Sequence, residues 1–209
     1  MLITSITAAS AQSPKRTNRF PVGTFHKKNQ NINGLSVGLY SGYGDFGDSM
    51  RNVTSNGIRL EALGGGILVP LIPSSPISDS EEGFKAMMAT PASERINGFN
   101  LSPAGTVCDC IVNGISAGLI GQINRQVSGV SASLVMNLAE RHNGIQIAMF
   151  NESYAMNGLQ IGLSNYGNRA RGLQIGLFNE SKNLKGIQLG LWNRNQKRKL
   201  PILNWNFRD

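Results

Sequence analysis

The chain has 209 residues, of which 25 are Gly and 22 are Asn, and its formal net charge is +8 at pH 7 although only 15% of its residues are charged. Gly and Asn are both poor helix formers, so this composition disfavours a helical fold, while a hydrophobic content of 40% excludes simple disorder. These residues contain no apolar run of eighteen, which excludes a transmembrane helix among them, and Gly does not fall at every third position, which excludes collagen.

The N-terminus predicts an exported protein. A short apolar run precedes Ala9-Ser10-Ala11, which matches the small-residue cleavage site of secretory signal peptides. We therefore interpret residues 1–11 as the remnant of a signal peptide. The expected location is the outer membrane or the cell surface, with the periplasm as an alternative.

Basic residues are concentrated near both ends, in a basic N-terminal segment at 12–31 and in a second run at 194–199. The two clusters consist of Lys15, Arg16, Arg19, Lys27 and Lys28, and of Arg194, Lys197, Arg198 and Lys199. No aromatic residues interleave with the second run, so a base-stacking nucleic-acid platform is not expected. The clusters predict either solvated ends that keep a β structure soluble or attraction to an anionic surface partner such as a glycan or lipopolysaccharide.

Two irregular segments come next in the chain. Residues 42–48 contain Asp45 and Asp48, too few oxygen ligands for a calcium loop, so a turn is predicted. Residues 74–95 form an insertion with a short predicted helix at 81–88, which serves either as a partner-binding loop or as a cover for a sheet edge.

The carboxylates in or beside these segments are the only hint of catalysis. They are Asp45, Asp48, Asp79, Glu81, Glu82 and Glu94. A glycosidase pair is conceivable among them, but nothing in the sequence singles out two partners. We therefore predict a non-enzymatic protein without a cofactor, and keep a polysaccharide-active enzyme as the alternative.

Cys108 and Cys110 are the two cysteines of the chain and are spaced C-x-C. On a strand their side chains share one face, so the spacing fits buried thiols or a structural bridge in an oxidising compartment. A zinc site would need two further ligands, and His26 and His142 lie in no ligand-spaced motif.

The strongest signal is a repeat of 14 residues. Gly144, Gly158, Gly172 and Gly186 open four copies, of which the last reads Gly-Ile-Gln-Leu-Gly-Leu-Trp-Asn. Two polar columns recur in these copies, Gln146, Gln160, Gln174 and Gln188, and Asn151, Asn165, Asn179 and Asn193. Degenerate copies extend upstream, so we assign residues 32–199 to one repeat domain, interrupted at 74–95 and followed by a C-terminal cap at 200–209.

Apolar and polar residues alternate within each copy. In the last copy Ile187, Leu189 and Leu191 share one face, opposite Gln188. A period of two predicts a β-strand with one buried face. A second apolar column is predicted to point inward before the next Gly: Met156, Ala170 and Leu184.

Two all-β architectures use such a pattern. In a β-solenoid of about nine coils of 14–16 residues, identical residues stack about 4.8 Å apart, and the Gln and Asn columns become hydrogen-bonded ladders. In an antiparallel outer-membrane β-barrel each copy would be one strand, and identical columns would gain nothing from stacking. The strict columns favour the solenoid, whereas the terminal aromatic residues Trp205 and Phe207 favour the barrel.

The four sharp copies resemble the tandem unit Asn-Gly-(Leu/Ile/Val)-Gln-(Leu/Ile/Val)-Gly-(Leu/Ile/Val)-x-Asn of a family of bacterial surface-repeat proteins found among spirochaetes and Bacteroidetes. The match is specific over residues 143–193 and departs from the unit at Arg171 and Lys185, which stand in place of Asn. The resemblance implies an exported or outer-membrane-associated protein and implies no biochemical activity.

These observations predict an exported structural or interaction module built of tandem β repeats, with a small outer-membrane barrel, as a pore or scaffold subunit, as the alternative. The candidate binding row consists of Phe150, Phe178 and Trp192, which share one column with Ser164. An aromatic row on a flat sheet suits glycan rings or a protein partner.

Overall fold

The computed structural model describes residues 15–41 and 51–207, which form one β-sheet that coils upon itself. The predicted signal remnant and the acidic turn with Asp45 and Asp48 lie outside these residues. The strands are β1 (Thr17–Arg19), β2 (Val22–Thr24), β3 (Gln30–Gly38), β4 (Val53–Glu61), β5 (Glu94–Ser102), β6 (Val107–Gly118), β7 (Gly121–Ala132), β8 (Met136–Ile147), β9 (Phe150–Ile161), β10 (Ser164–Ile175), β11 (Phe178–Arg194) and β12 (Lys199–Asn206). A 3-10 helix (Gly66–Leu71) and α1 (Glu81–Ala89) separate β4 from β5.

Strands β3 to β11 pair in chain order and in parallel, so each copy forms one layer of a solenoid. Equivalent residues stand in register: Gln174 pairs with Gln160 on one side and with Gln188 on the other. The prediction of a β-solenoid is confirmed, and the antiparallel barrel is wrong because these neighbouring strands run parallel.

The solenoid has about eleven layers rather than about nine. Strands β1 and β2 pair with β3 and add a layer in front of the first recognised copy. At the other end β12 pairs with β11 in the antiparallel direction and adds the last layer. The C-terminal layer is held by Asn204, whose Nδ2 donates to Gln188 Oε1 at 3.1 Å, and by Arg198, which stacks 4.3 Å from the ring centroid of Trp205.

Each layer turns at the Gly that opens its copy. Gly172 has a φ of +125°, and a Cβ at this position would lie 2.1 Å from the carbonyl oxygen of Gly158 in the preceding layer. Residues with a Cβ rarely adopt such a φ. The most regular residue of the repeat is therefore fixed by the backbone alone.

The polar face of each copy points inward. The Gln column from 146 to 188 is almost fully buried, whereas Leu189 and Leu191 are 38% and 65% exposed. Burial of apolar residues alone would predict the opposite. The solenoid accepts amides inside because every layer supplies hydrogen-bond partners for the next, and a buried polar group with its partners carries little penalty.

The apolar interior comes from the column two residues before the turn Gly. It contains Ile32, Ile96, Val112, Val127, Met156, Ala170 and Leu184, all buried. The inward direction predicted for the last three of these is the one observed.

The insertion packs against the side of the solenoid and does not project. The ring of Phe84 in α1 stacks on Tyr154 with 4.3 Å between centroids, and Ile77 joins the same buried cluster. The Ser80 hydroxyl accepts a hydrogen bond from Gly83 N–H and caps the helix. The insertion contacts strands from β7, where Arg125 donates to the carbonyl of Thr90, to β10, where Asn168 donates to the carbonyl of Ser78.

Candidate functional site

The most unusual surface of the described chain is an apolar face formed by the residues one, three and five places after each turn Gly. The first column is Leu35, Ile58, Phe99, Ile115, Val130, Ile145, Leu159, Leu173 and Ile187. The second is Val37, Leu60, Leu101, Ala117, Ala132, Ile147, Ile161, Ile175 and Leu189. The third is Leu39, Ala62, Pro103, Leu119, Leu134, Met149, Leu163, Leu177 and Leu191. Every one of these residues is apolar.

The apolar face is large for an unpartnered surface. Nine layers at about 4.8 Å give a length of about 43 Å, and five residues give a width of about 13 Å. Leu134 and Leu191 in the third column are each 65% exposed. A contiguous apolar patch of more than a few hundred Å² marks a site of interaction in most soluble proteins.

The relief of the apolar face differs between its two halves. A groove of about 850 Å³ runs from Val37 in β3 to Ile147 in β8. Ala117 and Ala132 line it, and their short side chains lower the second column there. From β9 to β11 the same column carries the larger side chains of Ile161, Ile175 and Leu189, which are 36% to 38% exposed and are called the ridge below.

One edge of the apolar face is a half-buried to exposed ladder of Asn side chains, each directly before a turn Gly. Asn97 Nδ2 donates to Asn56 Oδ1 at 2.7 Å, and Asn113 Nδ2 donates to Asn97 Oδ1 at 2.8 Å. The sequence shows that Asn precedes Gly but does not reveal that the side chains join. Arg171 and Lys185 continue this edge in the last layers.

The other edge carries the candidate binding row. Phe150, Phe178 and Trp192 are 43%, 55% and 48% exposed, and their column follows the third column of the apolar face. Ser164 leaves a gap in the row beside a pocket of about 230 Å³. Across this pocket Arg194 pairs with Glu180 at 3.2 Å.

The Gln column forms a continuous ladder inside the solenoid. Gln174 Nε2 donates to Gln160 Oε1 at 2.7 Å, and Gln188 Nε2 donates to Gln174 Oε1 at 2.8 Å. The same amide group of Gln188 also donates to the carbonyl of Arg194 at 3.0 Å, on another segment of the coil. These side chains therefore brace the coil from within.

The Asn column braces the turn at the end of the apolar face. Asn165 Nδ2 donates to the carbonyl of Ile175 at 2.9 Å and to Asn179 Oδ1 at 2.8 Å. Asn151 and Asn179 bond in the same way to the next layer. The main chain that carries the apolar side chains is thus held by inward hydrogen bonds.

Sequence reasoning missed a buried ion cluster in the N-terminal layers. Arg59 is fully buried, lies 3.1 Å from both Glu61 and Glu94, and stacks 3.8 Å from the ring centroid of Phe25. Arg51 also pairs with Glu94. Its position in the repeat could have indicated that Arg59 is buried. Arg59 follows its turn Gly by two residues, which is the position of Gln in the sharp copies.

The structure separates Glu94 from the other carboxylates of the insertion. Glu94 is held inside by Arg59, whereas Glu81 on α1 pairs with Lys85 and contacts Arg169. Asp79 and Glu82 lie on the insertion with Glu81. Within residues 15–41 and 51–207, no group of three His, Cys, Asp or Glu is placed to hold a metal ion.

Cys108 and Cys110 form a disulfide, with 5.2 Å between their Cα atoms, and both residues are buried. Of the alternatives left open by the C-x-C spacing, the bridge is the one observed. Among the described residues, no helix is long and apolar enough to cross a bilayer.

His142 occupies the inward apolar column, fully buried, and neither ring nitrogen has a hydrogen-bond partner among the described residues. Burial lowers its pKa from 6.5 to about 4. The unfolded chain therefore takes up the proton first as the pH falls. The stability present above about pH 6.5 is lost progressively between pH 6.5 and pH 4.

We expect this single group to reduce the free energy of unfolding by about 2 kcal/mol between pH 7.5 and pH 5. His142→Met should remove that share of the pH dependence, since Met156 fills the same column in the next layer. Urea titrations of the variant and of the wild-type chain at the two pH values measure the effect. An unchanged pH dependence in His142→Met would contradict the assignment.

No protein-family model, curated protein or solved structure matches this chain.

Proposed function

We propose that this protein is an exported, non-enzymatic interaction module whose contact surface is the apolar face. The observation that carries the proposal is the uniform apolar character of three outward columns through nine layers. A solvent-exposed surface of this size costs solubility unless it is covered by a partner.

The inward and outward positions of the repeat vary differently from layer to layer. The inward position two residues after the turn Gly varies in the degenerate layers, where it is Ser36, Arg59, Asn100, Ser116 or Ser131 instead of Gln. The outward positions beside it remain apolar in the same layers. The outward pattern is thus kept even where the inward ladder is not.

Export is supported by three independent features. The cleavage-site pattern at residues 9–11 is that of a secretory leader, and the disulfide of Cys108 and Cys110 is typical of oxidising compartments. The resemblance of residues 143–193 to bacterial surface repeats points to the same location.

The test replaces two outward residues of the ridge, Ile161→Lys together with Ile175→Lys. At a concentration where the chain is monomeric, we expect the thermal midpoint to fall far less than it does for a charge in a buried column, because Ile161 and Ile175 are 36% and 37% exposed. Retention of the dilute protein on a phenyl matrix should fall strongly, because the charges interrupt the apolar face.

Two controls frame this result. Asn183→Lys, on an exposed position away from the apolar face, should change neither measurement. Ala170→Lys places the same charge in the buried column and should unfold the protein. If the double substitution on the ridge lowers the midpoint as Ala170→Lys does, the apolar face serves folding and the proposed function fails.

A further inference from the structure

We propose that the partner of the apolar face is a second copy of this chain, packed face to face and antiparallel about a two-fold axis at Ile147. This inference rests on the proposed function and names the occupant of its contact surface. It follows from the relief of the face, from its dimensions and from the charges along its edge.

The relief is self-complementary about the layer of β8. Ala132 lies one layer before Ile147 and Ile161 one layer after it, and Ala117 and Ile175 lie two layers away on either side. A two-fold axis through Ile147, across the solenoid, therefore sets Ile161 opposite Ala132 and Ile175 opposite Ala117. Two of the three ridge residues of each copy therefore face the short side chains of the other copy, while Leu189 faces Leu101, and the contact is isologous.

The parallel arrangement fits poorly. A two-fold axis along the solenoid would set each layer against itself, so Ile161 and Ile175 would meet their own equivalents, and Ala117 would face Ala117 across an open groove. Packed protein interfaces approach the density of protein interiors. The antiparallel arrangement instead sets Ile161 and Ile175 over Ala132 and Ala117, in the part of the groove that lies within the overlap of the two copies.

The size of the face suits a dimer. The seven layers from β5 to β11 overlap around the axis and span about 34 Å by about 13 Å, or about 450 Å² of flat area on each copy. The two copies together cover about 900 Å² before the relief of the side chains is added, close to the ~1,000 Å² that a specific interface has to exceed.

The charges along the Asn edge are also compatible. In the antiparallel arrangement this edge meets its own reverse, so Arg171 lies opposite Asn113 and Lys185 opposite Asn97. Like charges are kept apart there, because each cation lies opposite a neutral Asn side chain. A lipid surface would need no matching relief, so the ridge and the groove favour a protein copy over a bilayer.

The first experiment measures the mass of the full chain by sedimentation equilibrium from about 1 to 100 µM. The expected mass is twice that of one chain of 22.5 kDa. Ile147→Cys should form an intermolecular disulfide under mild oxidation, whereas Leu191→Cys, equally outward but far from the axis, should not.

A charge exchange tests the register. Ala132→Glu alone and Ile161→Lys alone should each shift the protein to monomer, with unchanged far-UV circular dichroism. In the double variant, opposite charges of the two copies meet at two places across the axis. The dissociation constant of its dimer should be at least tenfold lower than that of either single variant. Asn183→Glu is the matched control and should remain dimeric.

The outcomes separate the two proposals. A wild-type chain that stays monomeric at 100 µM overturns the dimer. If Ile161→Lys together with Ile175→Lys still lowers the thermal midpoint far less than Ala170→Lys does, the proposed contact surface stands, with another occupant. Cosedimentation of that monomer with vesicles of neutral phospholipid would assign the face to lipid. A dimer that the charge exchange leaves unaffected overturns the arrangement about Ile147.

Discussion

Gly172→Ala is expected to lower the free energy of unfolding by about 4 kcal/mol, from the strain of a positive φ and the overlap of the new Cβ with a main-chain oxygen. The backbone at Gly172 has a φ of +125°, and the added atom would lie 2.1 Å from the carbonyl oxygen of Gly158. That oxygen belongs to the preceding layer of the stack and cannot move without disturbing that layer. Urea unfolding followed by circular dichroism measures the loss.

Gly167→Ala is the matched control in the same strand. A Cβ at Gly167 would meet its nearest atom, the Cβ of Ala170, at 3.3 Å, and equivalent positions in preceding layers carry Ser153 and Ala139. We expect its stability to change by less than about 1 kcal/mol. Equal effects at Gly167 and Gly172 would show that the turn glycines are not required for their conformation.

Arg59→Met is expected to destabilise the protein by about 3 to 5 kcal/mol, because it leaves two buried carboxylates without their shared cation. Arg59 contacts Glu61 and Glu94 at 3.1 Å, and its side chain is inaccessible to solvent. The substitution keeps a similar volume, so the loss reports charge pairing more than packing.

Arg95→Met controls for the removal of a cation in the same region, since Arg95 is exposed, and we expect a change below about 0.5 kcal/mol. Adding Glu61→Gln and Glu94→Gln to Arg59→Met should recover part of the lost stability, because the carboxylates are then neutral. If Arg59→Met is as stable as the wild-type chain, the cluster is held by groups other than Arg59.

The sequence predicts the solenoid because identical residues recur in columns, and only stacked layers let such residues form hydrogen bonds with one another. It does not predict which face of the strand is buried. The alternation of apolar and polar residues shows that the two faces of the strand differ. Gln174, however, can point inward only because Gln160 and Gln188 supply its hydrogen bonds. That cooperation between layers is absent from any single copy.

Other features depend on contacts between distant segments. The first layer cannot be recognised in the sequence, because Pro21 takes the place of the turn Gly. The carbonyl of Pro21 accepts the hydrogen bond from Leu35 N–H at 2.8 Å. The stacking of Phe84 on Tyr154 joins the insertion to a layer far along the chain. The apolar face could be predicted in composition from its three columns, but its exposure required the structure.

The ladders also bear on how such a chain lengthens. Every layer from β8 to β11 offers the next the same amide donors and acceptors, so a duplicated copy of 14 residues would enter the stack without any change of partner elsewhere. Each duplication would extend the molecule by about 4.8 Å. The number of copies therefore sets the length of the stack of parallel layers, on which β12 pairs with β11 in the reverse direction.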